Sequence, residues 1–578
     1  MTNEQIAERF GQLADLLEFQ GANAFRIRAY RGAVRIIGGL TEQITTILKD
    51  ETRKLTDIEG IGKEIAAKSV VLVETGRLPQ LDALLEEIPK TVLQMLKIPG
   101  LGAKKAAVIY RELGIADLES LQLACEQNQI QALKGFGKKS EETILSGIAL
   151  AAEAGKRIRW VKADQVVQQL LEHLGSCTSI QKMEAAGSYR RGKETIGDID
   201  ILTVSEDANE VMDRLEQFPE TESVIVRGDT KISIRLESGL QIDLRVVPAE
   251  SFGAALQYFT GSKEHNVKIR GIAKTKGLKI NEYGVYRVED GGDETYIAGA
   301  SEAEVYQTLE LPWFPPELRE DRVEFAWAEQ DPQPELLSQE QLIGDLHMHT
   351  TATDGKHTLE EMIEAAIQVG YQYIAITDHS KRVSMAHGLN AERLLAQWEE
   401  IDTWNNNSSG QITVLKGIEC DILEQGGMDL EDEVLAQADW VIASVHYGQN
   451  QSREQITDRI IGALENRHVS IIAHPTGRLV NKRKPYEVDM DAVFQAAKAN
   501  NKMMELNANP ARLDLNEIHC IAAKQHGIPI VISTDAHSTN GFEVMRHGVQ
   551  QARRAGLTRD DVANTLPWME IQKLLGRV

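Results

Sequence analysis

The stretch "GSYRRGKETIGDID", residues 187–200, sets two adjacent arginines on a Gly-Ser turn and ends in Asp198 and Asp200. In a strand, residues i and i+2 face the same side, so these carboxylates are presented together, which is costly unless cations sit between them. Two divalent ions bridged by carboxylates suit in-line attack at phosphorus, and the basic turn ahead of them suits a triphosphate. A third acid is expected on a neighbouring strand. Asp243, inside the apolar run "LQIDLRVV", is the candidate, because a charge within an apolar strand needs a partner. A lone Asp-x-Asp is more often a solvated strand end; the turn ahead of this one weighs against that.

A second set of donors lies downstream. "DLHMHTTATDG" carries His347, His349 and Asp354; His379 ends "AITDH", Glu419 ends "LKGIE", His446 ends "IASVH", His474 ends "IIAH", and Asp535 and His537 close "ISTDAH". Any one of them alone could be a buried, hydrogen-bonded side chain. Together, at successive strand ends, they suffice for two or three closely spaced divalent ions, Mn²⁺ and/or Zn²⁺, which generate hydroxide and stabilise a phosphoryl transition state.

The third set is made of glycines. "IEGIGKEIAAK", "IPGLGAKKAAV" and "LKGFGKKSEET" each place Gly-x-Gly before a basic helix start: Gly60 and Gly62, Gly100 and Gly102, Gly135 and Gly137. The free N–H groups of such a helix start can donate to a phosphate, and three copies would grip a nucleic-acid backbone without reading its sequence. A single copy would more often be a tight connection.

The elements that must position these residues change along the chain. Residues 1–150 read as short helices, and 151–250 as helix plus alternating strands such as "KISIRL". Residues 328–341, "AEQDPQPELLSQEQ", are the best linker candidate. Seven apolar strands then alternate with helices ("IGDLHMH", "YIAITDH", "ITVLKGIEC", "DWVIASVH", "HVSIIAHP", "KMMELNA", "IPIVISTDAH"), the pattern of a parallel sheet closed into a barrel with its chemistry at the strand ends. At 578 residues, several domains are required. The net charge of −24 argues at first sight against nucleic acid, but residues 1–150 are close to balanced and metal-binding acids are neutralised in use. Four scattered cysteines, an acidic start without an apolar signal core, and no apolar run near the roughly 20 residues of a membrane span predict a cytoplasmic protein with reduced thiols.

The "GSYRRG…DID" string, with "YFTGSKEHN" (258–266) and "GLKINEYGVY" (277–286), resembles the family X DNA polymerases over about residues 1–318. The histidine motifs resemble the PHP (polymerase and histidinol phosphatase) family over about 341–575, whose fold is a distorted (β/α)₇ barrel. The first resemblance implies Asp198, Asp200 and Asp243 as a catalytic triad holding Mg²⁺ or Mn²⁺, with Ser188, Arg191, Gly197 and Arg157 on the triphosphate. It implies Tyr258, Gly261 and Asn266 in the nucleotide pocket, Tyr258 crowding a ribose 2′-hydroxyl; Lys263 departs from the acid of polymerase beta. Lys68 stands where polymerase beta has its deoxyribose-phosphate lyase nucleophile, although a lysine on a basic helix is more often solvated or phosphate-facing.

The expected fold is multidomain α/β. It comprises a helical DNA-binding subdomain with a helix-hairpin-helix (1–85), a fingers-like helical subdomain (86–150), a nucleotidyltransferase palm (151–250), a thumb (251–318), a linker (319–340) and a PHP phosphoesterase (341–578). The expected function is gap-filling synthesis in DNA repair, with a PHP 3′-5′ exonuclease or 3′-end-processing activity and AP endonuclease or lyase activity as additions. Partners are gapped or nicked duplex DNA and dNTPs, with no membrane, for a monomer in the bacterial cytosol near the nucleoid. Two alternatives are a small-molecule phosphoesterase fused to a nucleotidyltransferase, and a non-catalytic DNA-binding scaffold. The glycine hairpins count against the first and the complete donor sets against the second.

Overall fold

A computed structural model of the chain describes every residue except 2, 41–43, 51, 59, 97, 99–100, 154–156, 290–291, 409 and 578. It forms two compact units, Met1–Lys156 and Arg157–Val578.

The first unit is helical. Helices Asn3–Gln20 and Ala24–Gly39 pack through Phe10, Leu13, Tyr30 and Ile37, and the Phe10 and Tyr30 rings stack with centroids 5.9 Å apart. Gly62 and Gly102 are the N-caps of helices Lys63–Thr75 and Ala103–Leu113, neither with a side-chain cap, so these helix starts have no side-chain acceptor at the cap. Gly60 and Gly135 take φ +86° and +89°, the left-handed region where only glycine is unstrained. Gly137 precedes helix Lys138–Glu153, and Gly100 lies outside the described residues.

The second unit begins with a five-stranded sheet: β1 (Ile180–Ala185), β2 (Asp198–Ser205), β3 (Thr221–Arg227), β4 (Lys231–Leu236) and β5 (Gln241–Val246), in spatial order β1-β2-β5-β4-β3. Strand β5 alternates cleanly: Ile242, Leu244 and Val246 are buried, and Gln241, Asp243 and Arg245 stand on the other face. Helices Trp160–Leu174 and Ala208–Glu216 cover the apolar face through Val167, Leu170, Val211 and Leu215. Next come helices Phe252–Thr260 and Lys263–Thr275 and a small antiparallel sheet of β6 (Leu278–Asn281), β7 (Gly284–Val288) and β8 (Glu294–Ala298). They share a core of Ala254, Ile269, Tyr306 and Phe314. The segment after it is tied at both ends, Trp327 Nε1 donating to Pro334 O at 2.9 Å and Leu337 N to Leu557 O at 3.0 Å.

The remainder is the expected barrel: β9 (Gly344–Asp345), β10 (Tyr373–Ile376), β11 (Thr413–Asp421), β12 (Trp440–Ser444), β13 (Ile471–Ile472), β14 (Met503–Asn507) and β15 (Ile530–Ser533), all parallel and in sequential order. Strands β10, β12 and β15 are buried at every residue, which is why they read as continuous apolar runs. The seam between β9 and β15 is closed past the strand ends by a Met348–Ala536 bridge. The buried Asn564 side chain staples it, donating to Gly344 O and Ile532 O at 2.8 Å each and accepting from Ile532 N at 3.1 Å. Among the described residues no helix is long and apolar enough to cross a membrane.

Candidate active sites

Strands β2 and β5 run parallel with Asp200 opposite Asp243 and Asp198 opposite Gln241. Burial, then Asp198 and Asp243, push the Asp200 carboxyl up to about 7; burial and Asp243 raise Asp198 as well. Asp243 is held by Ser233 Oγ, by Gln241 Nε2 at 2.9 Å and by Lys231 Nζ at 3.5 Å. The turn above is shaped to these acids: Gly187 has φ +64°, and a Cβ there would lie 2.4 Å from Asp200 Oδ2. A Cβ at Gly197 would lie 2.9 Å from Arg157 Nη1.

A cavity of about 510 Å³ opens here, lined by Arg157, Ser188, Arg191, Asp198, Asp200 and Phe259, among others. Ser188 Oγ is buried in it without a hydrogen-bond partner. Carboxylates raised by desolvation and by one another, next to two arginines and an unused hydroxyl, fit cations and a phosphate ester. The three acids are open rather than tight: among the described residues they form no group whose ligand atoms all lie within 4.8 Å.

Tyr258, Gly261 and Asn266 sit on the neighbouring helix-turn-helix rather than in the cavity wall. Asn266 Nδ2 donates to Tyr258 O at 2.7 Å, and Asn266 Oδ1 accepts from Gln257 Nε2 at 2.8 Å. Arg191 joins the two parts, Nη1 donating to Thr260 O at 2.5 Å. Arg190 does the same through Thr260 Oγ1 at 2.8 Å and Glu302 at 2.7 Å.

The barrel collects the second set. His349, Asp354, His379 and His537 form one group with ligand atoms mutually within 4.8 Å; His347, His349 and Asp535 form another; His379, Glu419 and His446 form a third. His474 joins through Nε2, 3.0 Å from Glu419 Oε1. Nε2 of His347, both ring nitrogens of His349 and Nδ1 of His379 are buried without a hydrogen bond, although His379 Nδ1 is only 2.8 Å from Glu419 Oε2. Ring nitrogens that face carboxylates out of hydrogen-bond alignment have lone pairs to offer a cation, so this donor set fits a multinuclear metal centre. Burial pushes the Glu419 carboxyl up, and His446, His379 and His347 outweigh it, holding it well below its usual range. At His379 burial pushes down and Glu419 and Asp354 prevail, raising it to about 10. Bound cations would take the place of those protons.

Two buried acids escaped the sequence reading. Glu505 on β14 accepts from His347 Nδ1 at 2.6 Å and His474 N at 2.7 Å, and Asp421 on β11 accepts from His446 Nδ1 at 3.0 Å. They turn Nε2 of His347 and His446 toward the cluster. The signal that picked out Asp243, an acid inside an apolar strand, was also present in "MMELN".

In the helical unit Lys68 Nζ lies 2.5 Å from Glu64 Oε1 and 2.7 Å from Gln80 Oε1 and also contacts Tyr30 OH. The Lys68 hydrogen bond, then Tyr30, hold the Glu64 carboxyl at about 2.

Comparison with known proteins agrees with this fold part by part. The chain matches the families described as "Helix-hairpin-helix domain" over 1–78, "SAM-like Helix-hairpin-helix tandem" over 52–113 and 92–149, "DNA polymerase beta palm" over 157–238, "DNA polymerase beta thumb" over 255–320 and "PHP domain" over 345–509. It is 42% identical over 579 residues to "DNA polymerase/3'-5' exonuclease PolX" of Bacillus subtilis (strain 168), covering 100% of both chains. The chain belongs to the family X DNA polymerases with a C-terminal PHP domain. A "DNA polymerase lambda" of Rattus norvegicus is 28% identical over 346 residues, 55% of this chain and 56% of its own length. A "Probable phosphatase" of Thermoanaerobacter sp. (strain X514) is 30% identical over 236 residues, 39% of this chain and 91% of its own length. The family X palm match stops at 238, before Asp243, and the PHP match at 509, before Asp535 and His537. Strand register nevertheless sets Asp243 opposite Asp200, and the barrel brings Asp535 and His537 into its donor groups.

Proposed function

We propose that this chain is a DNA-directed DNA polymerase that fills short gaps during DNA repair and carries a 3′-5′ exonuclease in its PHP domain. The observation that carries the reading is Asp200 in register with Asp243 beneath a cavity lined by Arg157, Ser188 and Arg191. A full-length relative named a DNA polymerase/3'-5' exonuclease supports it.

Asp198, Asp200 and Asp243 would hold Mg²⁺ or Mn²⁺, which supplies Lewis-acid stabilisation of in-line phosphoryl transfer. Arg191 and Arg157 set their guanidinium groups against the triphosphate, and Ser188 Oγ donates its unused hydrogen bond. Asn266 holds the Tyr258 main chain, which fixes the turn that the sugar would meet. In the barrel the six histidines with Asp354, Glu419 and Asp535 would hold Mn²⁺ and/or Zn²⁺, and Glu505 and Asp421 orient His347 and His446. Gly60, Gly62, Gly102, Gly135 and Gly137 would present helix starts to backbone phosphates. Lys68 is engaged by Glu64, Gln80 and Tyr30, so lyase chemistry would first require those contacts to break. The protein is read as a cytosolic monomer acting on gapped or nicked duplex DNA and dNTPs.

A one-nucleotide gapped duplex with a labelled primer tests this in a single gel. Extension with dNTPs and shortening without them is the expected result; phosphate release from small esters with neither DNA reaction would favour a small-molecule phosphoesterase instead.

A further inference from the structure

We infer that the PHP domain is a structural part of the polymerase's triphosphate site, with Arg554 and Arg478 acting as positioning residues for the turn Arg191–Glu194. This rests on reading Arg191 as a triphosphate ligand. The turn links the Gly-Ser corner to the aspartate strand, and its outer side is met by the barrel at three of its four residues. Arg554, at the end of helix Met545–Arg554, donates through Nη1 to Arg191 O at 2.7 Å. The same Nη1 is 3.3 Å from Glu320 Oε1, the carboxylate that accepts from Arg191 Nε at 2.9 Å. One barrel guanidinium therefore holds Arg191 by its main chain directly and by its side chain through Glu320.

One residue on, Gly192 has φ +66°, and a Cβ there would lie 2.5 Å from Nε2 of Gln550 on the same barrel helix. At the far end of the turn Arg478 Nη2 is 2.7 Å from Glu194 Oε2. Arg478 is four residues from His474, and the adjacent Asn481 side chain contacts Arg157 O. Glu517, from a third barrel element, pairs with Arg554 Nη2 at 3.0 Å and lines the nucleotide cavity itself.

These contacts are built rather than incidental. The side chain of Arg554 is 1% exposed and that of Arg478 10%, and a buried guanidinium shared among a carbonyl and carboxylates has little room to let its partners drift. A turn held at both ends keeps Arg191 and the cavity wall in register, and small misplacements of such groups are expensive. The turn meets the triphosphate on binding, so loosening it raises the KM for dNTP more than it lowers kcat. This support is separate from the metal chemistry of the barrel.

The test uses the full-length protein with Mg²⁺ on a one-nucleotide gapped duplex, measuring dNTP KM and kcat, DNA Kd and thermal unfolding for Arg554→Gln, Arg554→Lys, Arg478→Gln and Arg191→Ala. Arg554→Gln and Arg478→Gln should each raise KM by about tenfold with kcat within about threefold and DNA Kd unchanged, and Arg554→Lys should recover part of the loss. If Arg554→Gln fails to fold, Arg478→Gln carries the same expectation at the other end of the turn. A KM within about twofold of the parent in folded Gln variants, while Arg191→Ala raises it, overturns the inference and leaves the Arg191 reading standing. An unchanged KM in Arg191→Ala removes both. A parallel loss of kcat, KM and DNA binding in the Gln variants signals general damage and overturns the inference as well.

Discussion

In the palm three carboxylates stand together with their countercharges, Arg157, Arg245 and Lys231, set around them, and Asp200 is raised to about 7. In the barrel imidazoles and carboxylates interleave, so that Glu419 is held well below the usual range by His446, His379 and His347. On the proposed reading, the palm would leave its charge to be settled by entering ions and a triphosphate. The barrel nearly settles its own. An open acid site suits ions that arrive with the substrate, whereas a buried mixed site suits ions that stay. Harder oxygen donors favour Mg²⁺ and imidazole favours Mn²⁺ or Zn²⁺.

The sharpest way to break this comparison is to cut one site and ask about the other. Asp200→Ala should lower dNTP incorporation by at least about 10³-fold while 3′-end degradation survives, and His474→Ala should do the reverse, both read on labelled gapped and single-stranded DNA. If either substitution removes both activities, the sites are not independent.

The second expectation concerns the palm–thumb joint. Burial pushes the Glu302 carboxyl up, and Arg319 and Arg190 outweigh it, holding it at about 2. A depressed carboxyl stabilises the fold fully above its unfolded pKa, and that stabilisation is lost as pH falls from about 4.5 toward 2. Its size is on the order of 3 kcal/mol for this buried pair. Glu302→Gln should therefore lower the unfolding temperature at pH 7, with the gap to the parent closing across that window. A gap that stays constant down to pH 2.5 would show that Glu302 works through shape alone.

The third turns on the acids behind the histidines. Glu505→Gln removes the charge that orients His347 and should cost about 10–100-fold in exonuclease rate or in retention of Mn²⁺, without affecting gap filling. Retention can be followed by metal analysis after dialysis, so the result does not depend on activity alone. Equal metal content and equal rate would leave Glu505 a packing residue.

The smallest effect is expected in the helical unit. Gly62→Val and Gly102→Val should each weaken gapped-duplex binding a few-fold, the scale of about 1 kcal/mol for a lost backbone hydrogen bond, and equally for all sequences. A fluorescence titration on two unrelated duplexes checks both points.

The sequence carried much of this because the signals are local. Seven strands were legible because buried parallel strands are apolar at every position, and Asp198 with Asp200 because alternation sets them on one face. Glu505 was missed because it sits inside "MMELN", where one acid looks like a flaw in an apolar run until its two partners are seen. The contacts of Arg554 with Arg191 and Arg478 with Glu194 join residues 363 and 284 positions apart. Ion pairs over such distances leave no spacing to read.

The Asn564 staple has a consequence for how this protein is made. The seam it closes joins Gly344 to a residue 220 positions later, and Asp345 reaches Thr534 across 189. While a ribosome adds those residues, β9 waits as an unpaired edge, and the barrel cannot shut until nearly the last of its chain has emerged. The palm sheet, whose paired strands lie within one short stretch of chain, is complete long before. A stalled or prematurely ended synthesis would thus release a finished palm with an open, adhesive barrel behind it, a product for proteases and chaperones rather than a polymerase lacking its nuclease.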